Sequence, residues 1–121
     1  DLITEEAMNE AIKSSGGILT EFIRIIRGAA NIANMENRKR IEKRDVERVV
    51  TDIRNDYIRI LNKEDIKILK EVERTKEKTD EERFQDLLFS LAILEYENGE
   101  IWYDIHPTIK GIIERVEAGE G

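Results

Sequence analysis

Residues 93–105 read ILEYENGEIWYDI, and this stretch decides the fold. Asn-Gly at positions 98–99 separates two runs of aromatic and β-branched residues, and both central residues of the tight turn between paired strands need a positive φ. The sequence therefore predicts a β-hairpin with a two-residue loop. In the register that this loop sets, Glu95 pairs with Trp102, and Trp102 lies on the face opposite to Tyr96.

Helical periodicity dominates the rest of the chain, in five segments before the hairpin and in one after it. We expect these helices to begin after Thr4, at Ile18, near Glu42, after Asn62, after Thr79 and at Pro107. Apolar residues surround most of the second helix, which predicts that it is the central buried helix. Gly28 within this helix indicates a close contact between two helices.

Capping residues mark where the fourth and fifth helices begin. Asn62 and Asp65 are spaced to cap the fourth helix, which we expect to run to about Lys78. Thr79 and Glu82 form a T-x-x-E pattern, which predicts a capping box at the start of the fifth helix.

The order of these elements predicts a mainly α fold in two parts. Residues 1–61 form a helical bundle, and residues 62–121 follow the order helix, helix, hairpin, helix, which is that of a winged-helix unit. The connection between the fourth and fifth helices is short. The middle helix of a full winged-helix unit must therefore be very short or missing.

Charge is distributed unevenly over the 121 residues. The whole net charge of -7 belongs to residues 62–121, because residues 1–61 contain 11 basic and 11 acidic residues. A strongly acidic surface repels phosphate backbones and disfavours nucleic-acid binding. Abundant Glu, Lys, Arg and Ile with a single Gln are typical of proteins from hot-living organisms.

Composition also excludes several classes of protein. The chain has no cysteine, which excludes a disulfide scaffold and a thiol nucleophile. No window approaches the roughly 20 apolar residues that a membrane-crossing helix needs. We therefore expect no membrane partner and a cytoplasmic location. The sequence begins at Asp1 with neither Met nor a signal-like apolar stretch, which is typical of an expressed segment or of a cleaved piece.

No catalytic constellation is present. The chain lacks the glycine-rich phosphate loop and the dinucleotide-binding pattern, and its only imidazole is that of His106. Asp104 and His106 offer two metal ligands, whereas a catalytic zinc takes three protein groups. We expect His106 to cap the last helix or to bond to the backbone. We expect no enzyme activity, no metal and no cofactor in this chain.

Three features are candidates for binding. The basic residues between the second and third helices either contact phosphates or form a solvated loop paired with neighbouring acids; they are Arg38, Lys39, Arg40, Lys43 and Arg44. Trp102 either packs against the last helix or anchors a partner. The expected DNA-facing side of the fifth helix and hairpin carries six carboxylates against one arginine, Arg83. This balance favours protein contact over DNA.

Several short segments resemble known families. Residues 3–7, 15–19, 29–33 and 41–46 (ITEEA, SGGIL, AANIA, IEKRDV) resemble the helical lid of AAA+ ATPases. The segments are most similar to the lid of the archaeal and eukaryotic replication-initiator type, in which a winged helix follows directly. Residues 88–96 and 102–107 (LFSLAILEY, WYDIHP) resemble the C-terminal segment of poorly characterised prokaryotic P-loop ATPases.

This resemblance implies a C-terminal module of a larger ATPase, whose upstream core binds ATP with magnesium. In that family an arginine after the Ser-Gly element touches the γ-phosphate, but Leu19 stands at the matching position here. Either Arg24 or Arg27 replaces that sensor, or the lid does not sense nucleotide directly. The implied function is a lid that closes over nucleotide, fused to a winged helix that contacts a protein partner or another domain. The alternatives are a DNA-binding winged-helix module and a free-standing interaction protein.

Overall fold

The computed structural model describes residues 2–117, with side chains described as far as Arg115. These residues form six helices and one two-stranded antiparallel sheet: α1 (Glu5–Ser14), α2 (Leu19–Met35), α3 (Lys43–Ile60), α4 (Lys63–Thr75), α5 (Arg83–Phe89), β1 (Ile93–Glu97), β2 (Ile101–Ile105) and α6 (Pro107–Glu117). The expected fold class, a helical bundle followed by a winged-helix-like unit with one hairpin, is confirmed.

The chain divides into two compact units, Asp1–Asn55 and Asp56–Gly121. The division falls inside α3, ahead of the boundary that the sequence suggested between residues 61 and 62. The first unit contains α1, α2 and most of α3. The second contains the end of α3, helices α4 to α6 and the hairpin.

Local sequence rules explain the start of the first unit. The Thr4 side chain caps α1 by accepting a hydrogen bond from the Ala7 amide at 3.1 Å. Ile3 pairs with Ile41 in an isolated parallel bridge, which ties the N-terminal segment to the residues before α3. The expected close contact at Gly28 is also confirmed, because a Cβ there would lie 3.0 Å from the Val49 side chain.

The prediction that α2 is a central buried helix is wrong in its extent, because only one face of the helix is buried. Its buried residues follow one face at a spacing of four; they are Glu21, Ile25, Ala29 and Ala33. Leu19 is 69% exposed and Ile23 is 44% exposed. The apolar residues of this helix therefore exceed what the first unit covers, because its neighbours pack against one side only.

In the second unit α4 begins as expected and ends early. Asn62 and Asp65 form a reciprocal capping box at its start. The helix ends at Thr75 rather than near Lys78, because Lys76 adopts a left-handed conformation with φ +62°. The Lys76 carbonyl accepts a hydrogen bond from the Tyr103 amide at 2.9 Å, which holds the chain after α4 against β2.

The capping box predicted for α5 is wrong. This helix begins at Arg83, and Glu82 at its N-cap makes no side-chain capping bond. Because the chain after α4 is held against β2, residues 77–81 are not helical and the helix is only seven residues long. Phe84 and Leu87 point into the core of the unit, where each is 1% exposed.

The hairpin is confirmed, but its predicted register is wrong by one residue. Glu97 pairs with Ile101 and Tyr96 pairs with Trp102, so the loop has three residues, 98–100. Gly99 has φ +95°, but Asn98 has no positive φ, and a two-residue loop would need both. The Asn98 side chain instead accepts a hydrogen bond from the Trp102 indole at 3.0 Å, which stabilises the longer loop.

Candidate functional site

The outward face of α5 is the first candidate surface. Burial of Phe84 and Leu87 on one side of the helix turns the opposite side toward solvent. We call this opposite side the α5 face, and its residues are Glu82, Gln85, Asp86 and Phe89. All four are exposed, and Phe89 is 83% exposed, the highest value among the large apolar side chains of the described residues.

Arg83 is the only arginine among residues 76–89, and it is bonded to the buried carboxylate of Asp65. Its guanidinium donates two hydrogen bonds to the Asp65 carboxylate, at 2.9 and 3.0 Å, and a third to Asp86 at 3.1 Å. The Asp65 side chain is 0% exposed. Burial opposes its charge, but hydrogen bonds from Arg83 and the Asn62 amide outweigh burial and hold the pKa of Asp65 below its usual value. Arg83 therefore has a structural partner within the fold.

Carboxylates dominate what remains exposed in this unit. Six lie before α5, on it and around the hairpin loop; they are Asp80, Glu81, Glu82, Asp86, Glu97 and Glu100. An open groove of about 500 Å³ lies between α4 and the segment that follows it. Its lining contains more acids than lysines, namely Glu64, Glu71, Glu77, Asp80 and Glu81 against Lys67 and Lys78. The surface of the second unit is therefore strongly acidic at both places.

The basic segment of the first unit is divided by its ion pairs. Arg38 forks onto the buried Asp45 carboxylate, at 2.6 and 2.9 Å, and also bonds Glu36. Asp45 in turn accepts a hydrogen bond from the Glu42 amide at 2.8 Å, which caps the start of α3. The bonds from Arg38, together with this capping bond, outweigh burial and hold the pKa of Asp45 below its usual value. Arg38 therefore belongs to a structural cluster with Asp45 and the Glu42 amide.

The other cations of this segment are more accessible. Arg44 bonds Glu42 at 2.9 Å and is 64% exposed. Lys39, Arg40 and Lys43 are exposed and have no side-chain ion pair among the described residues. Four of the five residues predicted as phosphate contacts are thus exposed, and three of these four have no ion pair within the described residues.

The two predicted sensor arginines lie on α2. Arg24 bonds the Glu21 carboxylate at 3.1 Å, and its side chain is 46% exposed. Glu21 itself is 0% exposed, which the sequence did not indicate because its position on α2 looks like an ordinary solvated one. Arg27 is exposed and has no ion pair within the described residues. The structure thus places one candidate against a buried acid and leaves the other accessible.

Trp102 packs within the hairpin. Its ring stacks on Tyr96, with centroids 4.4 Å apart and planes tilted by 16°. The prediction that these two residues lie on opposite faces is wrong, because the three-residue loop shifts the register and makes them cross-strand partners. With its indole bonded to Asn98, Trp102 stabilises the hairpin.

His106 caps α6, in agreement with the simpler of the two interpretations of the sequence. Its Nδ1 atom accepts the Thr108 amide at 3.2 Å and lies 2.9 Å from the Thr108 hydroxyl. His106 is 0% exposed, and its ring lies 5.6 Å from that of Tyr57. Asp104 instead binds Lys76 and Lys110, at 3.1 and 3.0 Å. These two residues are thus engaged by other groups of the second unit.

Comparison with protein-family models, with curated proteins and with solved structures finds no match to this chain. Among the side chains of residues 2–115 no group of three or more metal-ligating residues occurs. Within the same residues, no helix has both the length and the apolar character required to span a membrane. The surfaces described above are therefore the basis for any functional assignment.

Phe89 is the exposed feature that sequence reasoning missed. A helical wheel could have found it, since Phe89 falls almost opposite Leu87 at 100° per residue. The 83% exposure of Phe89 follows from the burial of Phe84 and Leu87 on the other side of α5.

Proposed function

We propose that this chain is a non-catalytic interaction module of the cytoplasm whose winged-helix-like unit contacts protein rather than DNA. The observation that carries this proposal is the charge of the exposed surface on the second unit. The carboxylates around α5 and the hairpin loop are exposed, while Arg83 is bonded to Asp65 and Asp86. Proteins read DNA with cations on phosphates and with Arg, Lys, Asn and Gln on base edges.

Duplex binding measured by fluorescence anisotropy over a salt series tests this proposal. Phosphate contacts make affinity fall steeply with salt, so a DNA-binding unit would show that slope. We expect no duplex binding through the second unit. Salt-dependent binding that is lost on Gln85→Ala, with Gln85 on the α5 face, would contradict the proposal.

We further propose that the first unit is the helical lid of a larger P-loop ATPase, as the resemblance of residues 3–46 implies. The core of that protein, holding ATP and magnesium, would then be the interdomain partner. Arg24 and Arg27 are accessible enough to approach a nucleotide, since both side chains are exposed. In the full-length protein Arg24→Ala should slow ATP hydrolysis. Unchanged turnover in both Arg24→Ala and Arg27→Ala would remove the sensor role.

The size of the native protein separates this lid from a free-standing interaction protein. An antibody raised to this chain should detect, in source cells, a band several times heavier than 14.1 kDa. A native band at 14.1 kDa would contradict the ATPase-module proposal. The proposal that the second unit contacts protein would then be tested independently of any ATPase core.

Nucleic-acid binding through the first unit is a second candidate, which one observation favours. Lys39, Arg40 and Lys43 are exposed and carry no side-chain ion pair among the residues described. Any salt-dependent duplex binding that this chain shows should be lost when these three residues become alanine. Binding that survives the triple substitution would exclude the candidate.

A further inference from the structure

We infer that the α5 face, Glu82, Gln85, Asp86 and Phe89, is the docking surface of the second unit and that its occupant is a basic protein segment with an apolar pocket. This inference rests on the proposed function and names the partner class of that unit. It begins from Phe89, whose side chain is 83% exposed although the same helix buries Phe84 and Leu87. A large aromatic side chain gains substantial free energy when a partner covers it.

The helix geometry fixes where this side chain points. Successive residues turn by about 100° around a helix, so Phe89 lies close to Glu82 and Asp86 in projection and far from Leu87. Repacking within α5 cannot bury the ring without exposing Leu87. Phe89 is therefore available to an external partner.

The charges around Phe89 select the chemistry of that partner. Glu82 is exposed and makes no side-chain hydrogen bond among the described contacts. Asp86 shares Arg83 with the buried Asp65. Asp80 and Glu81, just before the helix, are also exposed. An apolar centre with an acidic rim is complementary to a partner with an apolar pocket and a rim of lysine or arginine.

The same charges argue against the other occupant that an exposed aromatic ring can have. A phenylalanine can act as a wedge between DNA base steps, but proteins that do this surround the wedge with cations. Here the charged residues that share the α5 face with Phe89, Glu82 and Asp86, are carboxylates. The ring therefore fits a protein pocket.

A peptide titration followed by nuclear magnetic resonance tests the inference. The probe is a synthetic helical hairpin of lysine and leucine, whose two helices form an apolar groove rimmed with lysine. It is added to the ¹⁵N-labelled full chain, and the control is the same peptide with glutamate in place of lysine. We expect the lysine peptide to shift backbone amides at 82–89 most, with an affinity that falls as salt rises. The glutamate peptide should cause no such shifts.

Matched variants distinguish the contribution of the Phe89 ring to peptide affinity from that of the surrounding charges. Phe89→Ala should weaken binding of the lysine peptide by about tenfold, as truncation of an interface anchor does. Ile101→Ala removes another exposed apolar side chain, 57% exposed on the hairpin, and should leave the affinity unchanged. Glu82→Lys should weaken binding and reduce its salt dependence.

Three results would overturn the inference. They are an absence of binding, shifts centred on the groove beside α4, and an affinity unaffected by Phe89→Ala. Shifts in the groove would leave protein contact by the second unit intact and move its site. Duplex binding through Gln85 would instead contradict the proposed function itself, so the two failures are distinguishable.

Discussion

The two units begin a helix in the same way and present opposite charges beside it. In the first unit Asp45 accepts the Glu42 amide and receives a fork from Arg38. In the second, Asp65 accepts the Asn62 amide and two hydrogen bonds from the Arg83 guanidinium. We call each of these two clusters a lock. Both aspartates are buried, with side chains 2% and 0% exposed.

What differs is the charge that each lock leaves at the surface. In the segment 38–45 the exposed charged residues without ion pairs, within the described part of the chain, are the cations Lys39, Arg40 and Lys43. Beside Arg83, within residues 80–89, the other exposed charged residues are the carboxylates Asp80, Glu81, Glu82 and Asp86. An arginine that looks like a nucleic-acid contact in the sequence can be a structural residue. The partner of each unit must therefore be inferred from the charges that remain after the locks have formed.

Removing the aspartates should have the largest effect. Asp45→Ala and Asp65→Ala each remove a carboxylate that accepts one amide at the helix start and two charge-assisted hydrogen bonds, so each should lower the free energy of unfolding by about 2 kcal/mol. Urea unfolding followed by circular dichroism measures this. Asp52→Ala, at an exposed position on α3, is the control and should change stability little. Equal stability of all three variants would show that the locks are not structural.

Acid should weaken both locks together. The pKa of each aspartate lies below its ordinary 3.8 in the folded chain. Because a carboxyl with a lowered folded pKa binds more protons when unfolded, its contribution to stability is present above about pH 4 and is lost as pH falls further. Unfolding free energies at descending pH measure the slope. The double variant Asp45→Asn and Asp65→Asn should have a shallower slope, and an unchanged slope would contradict this assignment.

Substituting the two arginines should show that the locks contribute differently to stability. Arg38 is 20% exposed and Arg83 is 47% exposed, so Asp45 gains less water than Asp65 when its partner is removed. Arg38→Ala should therefore destabilise the chain more than Arg83→Ala, as measured by the midpoint of urea unfolding. A larger loss for Arg83→Ala would reverse the ranking and show that water reaches Asp45 more readily.

The accessible cations should have the smallest effect on folding. Lys39→Ala and Arg40→Ala remove solvated charges without ion pairs, so the unfolding midpoint should stay near that of the unmodified chain. Thermal denaturation checks this directly. A marked loss of stability would mean that these residues belong to the lock as Arg38 does.

Local chemistry made much of the fold predictable. Thr4 and the Asn62–Asp65 box cap helices as short-range hydrogen-bond rules require, and Gly28 marks the contact with Val49. The hairpin was predictable because Asn-Gly is a strong local turn pattern. These features depend on residues close together in the chain or on the absence of a side chain.

The predictions that were wrong depend on contacts that the spacing of residues along the chain does not show. The loop register depends on the bond between Trp102 and Asn98, and the late start of α5 follows from the bond between Tyr103 and Lys76. The fork from Arg83 to Asp65 joins residues from different helices, so its effect on the surface charge was not visible. The candidate site was predictable as an acidic surface but not as a face centred on Phe89.

Charge reversal on the winged-helix-like unit tests the central claim most directly. Two forms of the chain are compared for duplex DNA binding, and both carry Lys39→Ala, Arg40→Ala and Lys43→Ala so that the first unit contributes little. The acidic form has no other substitution, and the reversed form also carries Asp80→Lys, Glu81→Lys and Glu82→Lys. We expect no binding by the acidic form and salt-dependent binding by the reversed form. Equal, salt-dependent binding by both forms would contradict the claim that the exposed carboxylates direct this unit to protein.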